Sequence, residues 1–195
     1  MRLAVAAAMV CVLALVACGR GDENERTAAA PQTPAPAAPI LGFTHEDGFD
    51  AQGYYRPAAA VGAGDYRLAQ IAIGAPSDFE AWEGGKREEV FGPILMEFED
   101  ITSPVEEDEM GRRHAVRLRV TPLAYRLSPG QISFHGKADQ VGEIDFEGSL
   151  DTAALAQART TGASDGTVVL AGKLRIGERT FDGLQMSYWS GDGGG

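Results

Sequence analysis

Apolar and polar side chains alternate with a period of two through much of the chain after residue 64. In 94–99, Ile94, Met96 and Phe98 alternate with Leu95, Glu97 and Glu99. In 115–121, Val116, Leu118 and Val120 alternate with Ala115, Arg117, Arg119 and Thr121. Such alternation sends successive side chains to opposite faces of a strand. The two segments are therefore expected to form a hairpin with Glu97 and Glu99 facing Arg117 and Arg119 on one face. Each opposed pair contributes about 0.2–1 kcal/mol. The intervening 102–113 reads as a solvated loop.

A second hairpin is expected from 123–127 and 131–138 around Ser128-Pro129-Gly130, where proline presets its backbone angle and glycine accepts a positive one. In 143–150, Ile144, Phe146, Gly148 and Leu150 alternate with Glu143, Asp145, Glu147 and Ser149. A last pair, 167–176 and 180–189, turns at Gly177-Glu178, and 65–73 is rich enough in β-branched and aromatic residues for a further strand. Residues 41–64 have no clean period.

Two short helices interrupt the strands. Ser77 and Glu80 match a capping box, with Gly84-Gly85 as the stop, and Phe79 and Trp82 share one face that should plug an end of the core. Asp151 is placed to cap a helix over 152–159. Glycine recurs two residues after a large apolar one, in Phe134-His135-Gly136, Phe146-Glu147-Gly148, Leu170-Ala171-Gly172 and Phe181-Asp182-Gly183. Glycine inside a strand marks a bend or a close approach. The expected fold is mainly β: an antiparallel barrel or sandwich with one or two short helices. From 166 to 189 the chain is similar to the closing strands of the YceI-like lipid-binding barrels, although that family's histidine-bearing opening strand has no match.

The N-terminus follows another pattern. Arg2 precedes an apolar run over 3–17, shorter than the roughly 20 residues a transmembrane helix needs, and polar residues follow from Gly19. Leu15-Val16-Ala17-Cys18-Gly19 resembles the lipobox of bacterial lipoproteins. The resemblance implies that 1–17 is a signal peptide, that Cys18 becomes the lipidated N-terminus, and that acyl chains hold the protein in a membrane at about 0.8 kcal/mol per buried methylene. By the sorting rule of enteric bacteria, Gly19 points to the outer membrane, facing the periplasm. Residues 18–41 hold four prolines among alanines and read as a disordered, extended tether. A single domain over 42–190 and a disordered tail at 191–195 complete the expected organisation.

Charge and chemistry narrow the function. The chain of 195 residues carries 17 Lys+Arg and 28 Asp+Glu, a net charge of -11. Without Arg2 the balance is 16 against 28, or -12. This argues against nucleic acid as a partner. Of the two cysteines, Cys11 lies in the signal and Cys18 takes the lipid, which leaves the domain no disulfide and no thiolate site. His45, His114 and His135 have no metal spacing. The run Glu106 to Glu109 lacks the order of an EF-hand and is followed by Arg112-Arg113. Gly62-Ala63-Gly64 lacks the third glycine of a dinucleotide loop.

No catalytic constellation, cofactor or metal is expected. Trp82, Tyr66, Tyr188 and Trp189, with Tyr54 and Tyr55, are candidates to line a ligand cavity, since aromatics give rigid area with a polar handle. The leading expectation is a non-enzymatic envelope lipoprotein that binds a partner protein or a small apolar ligand. One alternative is a hydrolase or metal-dependent enzyme built from Glu143, Asp145 and His135. Another is a structural or assembly component of the outer membrane that pairs through strand edges.

Overall fold

A computed structural model describes residues 39–87, 91–108, 111–161 and 166–190. The expected signal peptide, Cys18, most of the tether and the tail lie outside them. The strands are β1 (Phe43–His45), β2 (Gly53–Pro57), β3 (Gly62–Ala63), β4 (Tyr66–Ile73), β5 (Ile94–Asp100), β6 (Val105–Asp108), β7 (Gly111–His114), β8 (Arg117–Val120), β9 (Pro122–Ser128), β10 (Gln131–Ala138), β11 (Gly142–Leu150), β12 (Val168–Ile176) and β13 (Arg179–Trp189). The helices are α1 (Pro76–Glu83) and α2 (Thr152–Thr161). The fold is mainly β, as the alternation requires.

One large sheet runs in the order β1-β9-β10-β11-β12-β13-β2-β4-β5-β8, with β3 beside β4. Its pairings are antiparallel except that between β1 and β9. The sheet curls into a half-barrel because β8 and β9 are one stretch of chain bent at Thr121. Residues before the bend pair with β5, and residues after it pair with β10. The two limbs meet at Gly136 of β10, where a Cβ would lie 3.0 Å from Met96 Cε of β5 and 3.6 Å from Val120 of β8.

The concave side is filled with side chains. Ile71, Ile94, Met96, Phe98, Ile132, Phe134, Ile144 and Phe146 are all buried, and the Phe134 and Phe146 rings stack with centroids 5.1 Å apart. Phe79 and Trp82 of α1 and Leu155 and Ala158 of α2 join the same core. Each helix thus buries the face its spacing offers.

Both hairpins form, with the expected charged face and turn: Glu97 opposes Arg119, Glu99 opposes Arg117, Ser128 opposes Gln131, and the β9–β10 turn carries Gly130 at φ 74°. Asp151 accepts the Ala154 N–H at 2.9 Å and so caps α2.

Three local expectations change. The α1 cap is Ala75 rather than Ser77, with Pro76 opening the helix and Asp78 accepting the Ala75 N–H at 2.8 Å. Proline suits the first helical position because its missing N–H would have no partner there. Residues 102–113 are not simply a loop: β6 and β7 form a two-stranded sheet with Glu106 opposite Arg113 and Glu107 opposite Arg112. The aperiodic 41–64 supplies β1, β2 and β3.

Candidate functional site

On the convex side of β2, β4, β5 and β8 the alternation turns Leu95, Glu97 and Glu99 outward, with Arg117 and Arg119 beside them. Glu97 is nevertheless only 4 % exposed. The β6–β7 sheet brings Arg113 to one of its carboxylate oxygens, while Arg119 Nε lies 3.2 Å from the other. Arg113 Nε also reaches Glu99 at 3.3 Å. A buried carboxylate stays charged only where such partners replace water, and here one guanidinium meets each oxygen.

Arg117 and Arg56 stand close to the same cluster. Burial lowers the pKa of Arg113, and repulsion from Arg117, Arg56 and Arg119 lowers it further. Arg56 in turn lies 3.4 Å over the Trp189 ring, and Trp189 packs against Tyr54 with centroids 5.6 Å apart. A cation over an aromatic face in this way gains about 0.5–2 kcal/mol.

Beside the cluster runs a groove of about 920 Å³. Arg113, Arg117 and Arg119 form one end, Leu95, Ala72 and Gln70 part of the floor, and Asp50 with Arg159 the other end. Tyr188 lines it too, its ring lying so close to Gly53 that a Cβ there would sit 2.6 Å from it. Arg159 of α2 binds Asp50 through both terminal nitrogens, at 3.0 and 3.1 Å. Burial would raise the pKa of Asp50, but the Gln52 backbone N–H and Arg159 outweigh it and the pKa falls below the ordinary 3.8. Phe91, a 65 % exposed phenylalanine, stands at the rim.

The four candidate ligand residues are distributed differently. Tyr188 lines the groove. Trp189 is buried beneath Arg56 and Tyr54. Tyr66 packs half-buried against the core. Trp82 is buried on α1, edge-on to Phe43 at 6.0 Å, its indole N–H without an acceptor among the described residues. Tyr55, also considered, is wholly buried and donates to the Ala51 carbonyl. Charges of both signs line the groove, Arg113, Arg117, Arg119 and Arg159 with Asp50, Asp78 and Glu97, and the opposed Glu and Arg pairs of the two strands were the sequence signal for that face.

The residues of the enzymatic alternative do converge. His135 Nδ1 lies 2.7 Å from Asp145 and Nε2 lies 3.1 Å from Glu143. Lys137 pairs with Glu143 at 2.7 Å, and Arg175 pairs with Asp145. Both ring nitrogens therefore face carboxylates, and the ladder lies across β10, β11 and β12, away from the groove residues. Such a surface ladder suits strand pairing rather than activation of a nucleophile. His45 lies 2.8 Å from the Phe49 carbonyl and stacks on Phe79, and His114 Nδ1 is 2.9 Å from the Ser103 carbonyl. Among the described residues, no group of three or more His, Cys, Asp or Glu could hold a metal ion. No helix among them is long and apolar enough to cross a membrane.

No family model matches the chain, and no curated protein or solved structure shows significant similarity to it.

Proposed function

We propose that this chain is a lipid-anchored protein of the bacterial envelope whose β domain is a non-enzymatic binding module. It takes its ligand or partner in the groove on the convex face rather than inside the curl. The observation that carries this reading is the contrast between the two sides. The concave side is occupied by side chains such as Phe98, Phe134 and Phe146, whereas the convex side holds an open groove lined by charged residues, Arg113, Arg119 and Asp50 among them, and by the apolar Leu95 and Ala72. Pockets that combine apolar surface with a few convergent polar groups are where small ligands bind.

Cys18 supplies the anchor in this reading, and residues 18–41 separate it from the domain. The acidic balance of the whole chain keeps it from nucleic acid and from bare anionic membrane surface.

Native mass spectrometry on the lipidated protein, purified gently in an uncharged detergent, tests the binding reading. The protein should retain a non-covalent mass, small molecule or polypeptide, that Leu95→Trp displaces by filling the groove floor and Lys173→Gln, on β12, leaves in place. A retained mass indifferent to Leu95→Trp would move the binding surface elsewhere.

A further inference from the structure

We propose that the groove binds an uncharged, hydroxyl-rich ligand, an oligosaccharide, and reads it through the side-chain amide of Gln70. The inference rests on the reading of the groove as the binding surface and adds the chemistry it selects. Gln70 lies on the outward face of β4 opposite Glu97, and only 8 % of it is exposed. It borders the groove, and its amide makes no hydrogen bond among the described residues. A buried amide without a partner is costly, so this one calls for a group in the groove that can donate to it and accept from it.

The charged residues around it are already matched. Glu97 is shared by Arg113 and Arg119, Glu99 takes the Nε of Arg113, and Glu106 stands opposite Arg113. Arg117 opposes Glu99 in the ladder and is engaged as well. At the other end Arg159 holds Asp50 through both terminal nitrogens, and Asp78 accepts the Ala75 N–H. A charged ligand would have to break one of these pairs and leave its partner unmatched. A wholly apolar ligand would seal the Gln70 amide without a hydrogen bond. A hydroxyl does neither, because it donates and accepts at once and needs no counter-charge.

A sugar ring carries hydroxyls at its edge and C–H groups on its face, and the face packs on aromatic rings. Tyr54, 37 % exposed, opposes Ala72, two residues along β4 from Gln70, and Tyr188 and Phe91 line the same groove. Such rings give rigid area to stack on. A peptide fits less well. β4 lies between β2 and β5, and β5 between β4 and β8, so the floor presents side chains rather than a free strand edge for main-chain pairing. The space, about 920 Å³, exceeds what one sugar ring fills.

A glycan array tests this, probed with the full lipidated protein in a polyoxyethylene detergent, which carries no sugar. At least one neutral glycan should be retained, and calorimetric titration with that glycan should saturate with an affinity indifferent to added salt. Gln70→Leu removes the amide and keeps the bulk. It should weaken binding about fivefold, as loss of a neutral hydrogen bond does, without lowering the melting temperature. A fall in both would make Gln70 a structural residue and overturn its role as reader. Tyr54→Ala should weaken binding by a similar factor through loss of the stacking face.

Circular dichroism shows whether each variant is folded, and failure of one to fold leaves the other to decide. The proposal is overturned if no glycan is retained, if only acidic glycans are, or if binding is indifferent to both changes. If the native mass is a polypeptide that Leu95→Trp displaces while no glycan binds, the groove still binds and only the sugar assignment falls.

Discussion

Gly148 and Gly172 face each other across β11 and β12, and neither position can take a side chain. A methyl group at Gly148 would lie 2.5 Å from the Phe146 ring and 2.6 Å from the Ala171 carbonyl oxygen. At Gly172 it would meet the Glu147 carbonyl and the Gly148 Cα. The paired absence lets the two strands coil tightly around the Phe134–Phe146 stack. Gly148→Ala is expected to cost about 1–3 kcal/mol by overpacking. Thermal denaturation checks this, and an unchanged melting temperature would mean that the strands have slack the structure does not show. At the same scale, Asp50, Asp100 and Glu143 all have pKa values lowered in the fold. At Asp50 burial opposes the shift, but the Gln52 N–H and Arg159 prevail. Asp100 is held by the Thr102 hydroxyl and backbone N–H, and Glu143 by Lys137. A lowered folded pKa gives stability that is complete above the unfolded pKa and is lost as pH falls through the folded one. Melting temperature should therefore fall as pH drops below the ordinary 3.8 of an aspartate, and Asp50→Asn should flatten that fall.

The β6–β7 sheet shows what an element can hide from sequence. Apart from Val105 its strands carry polar side chains and a glycine, so alternation has nothing to report, and an acidic run followed by two arginines reads as solvated loop. The pairing comes instead from charges opposed across the two strands, Glu106 with Arg113 and Glu107 with Arg112, and from Arg113 reaching Glu97. Arg113→Ala leaves the buried Glu97 with Arg119 and is expected to cost about 3 kcal/mol. Lys173→Ala, which removes an exposed pair with Asp182, should cost less than about 0.5 kcal/mol. Urea titration of the two variants compares them, and equal midpoints would mean that the hairpin is not pinned through Arg113. The other strands were legible where one face is buried and the other wet, as in β5, β8, β10 and β11. β2 was not, because Tyr54 packs on Trp189 while Tyr55 is buried, so both faces of Tyr54-Tyr55-Arg56 are engaged. The α1 cap went astray because Ser77 and Glu80 carry the motif two residues beyond the pair the helix uses, Ala75 and Asp78. The outward Arg117 and Arg119 were readable. The groove was not, since its walls come from segments as far apart as Asp50, Leu95, Arg113 and Tyr188.

At the scale of the whole molecule, the proposed function joins a lipid anchor at Cys18 to a binding face on the sheet. The proposed anchor, on Cys18 after the apolar run 3–17, and the proposed binding face on the curled sheet can fail separately. Cys18→Ala is expected to abolish incorporation of labelled palmitate and to move the protein out of the membrane fraction. Labelling that persists would exclude Cys18 as the acylated residue. The binding face is the central claim, and photocrosslinking in intact cells tests it most directly. A benzoylphenylalanine placed at Leu95, on the groove floor, is predicted to give a discrete adduct. The same probe at Lys173, on β12, should give none. An adduct at 173 with none at 95 would contradict the account and move recognition to the opposite limb of the sheet.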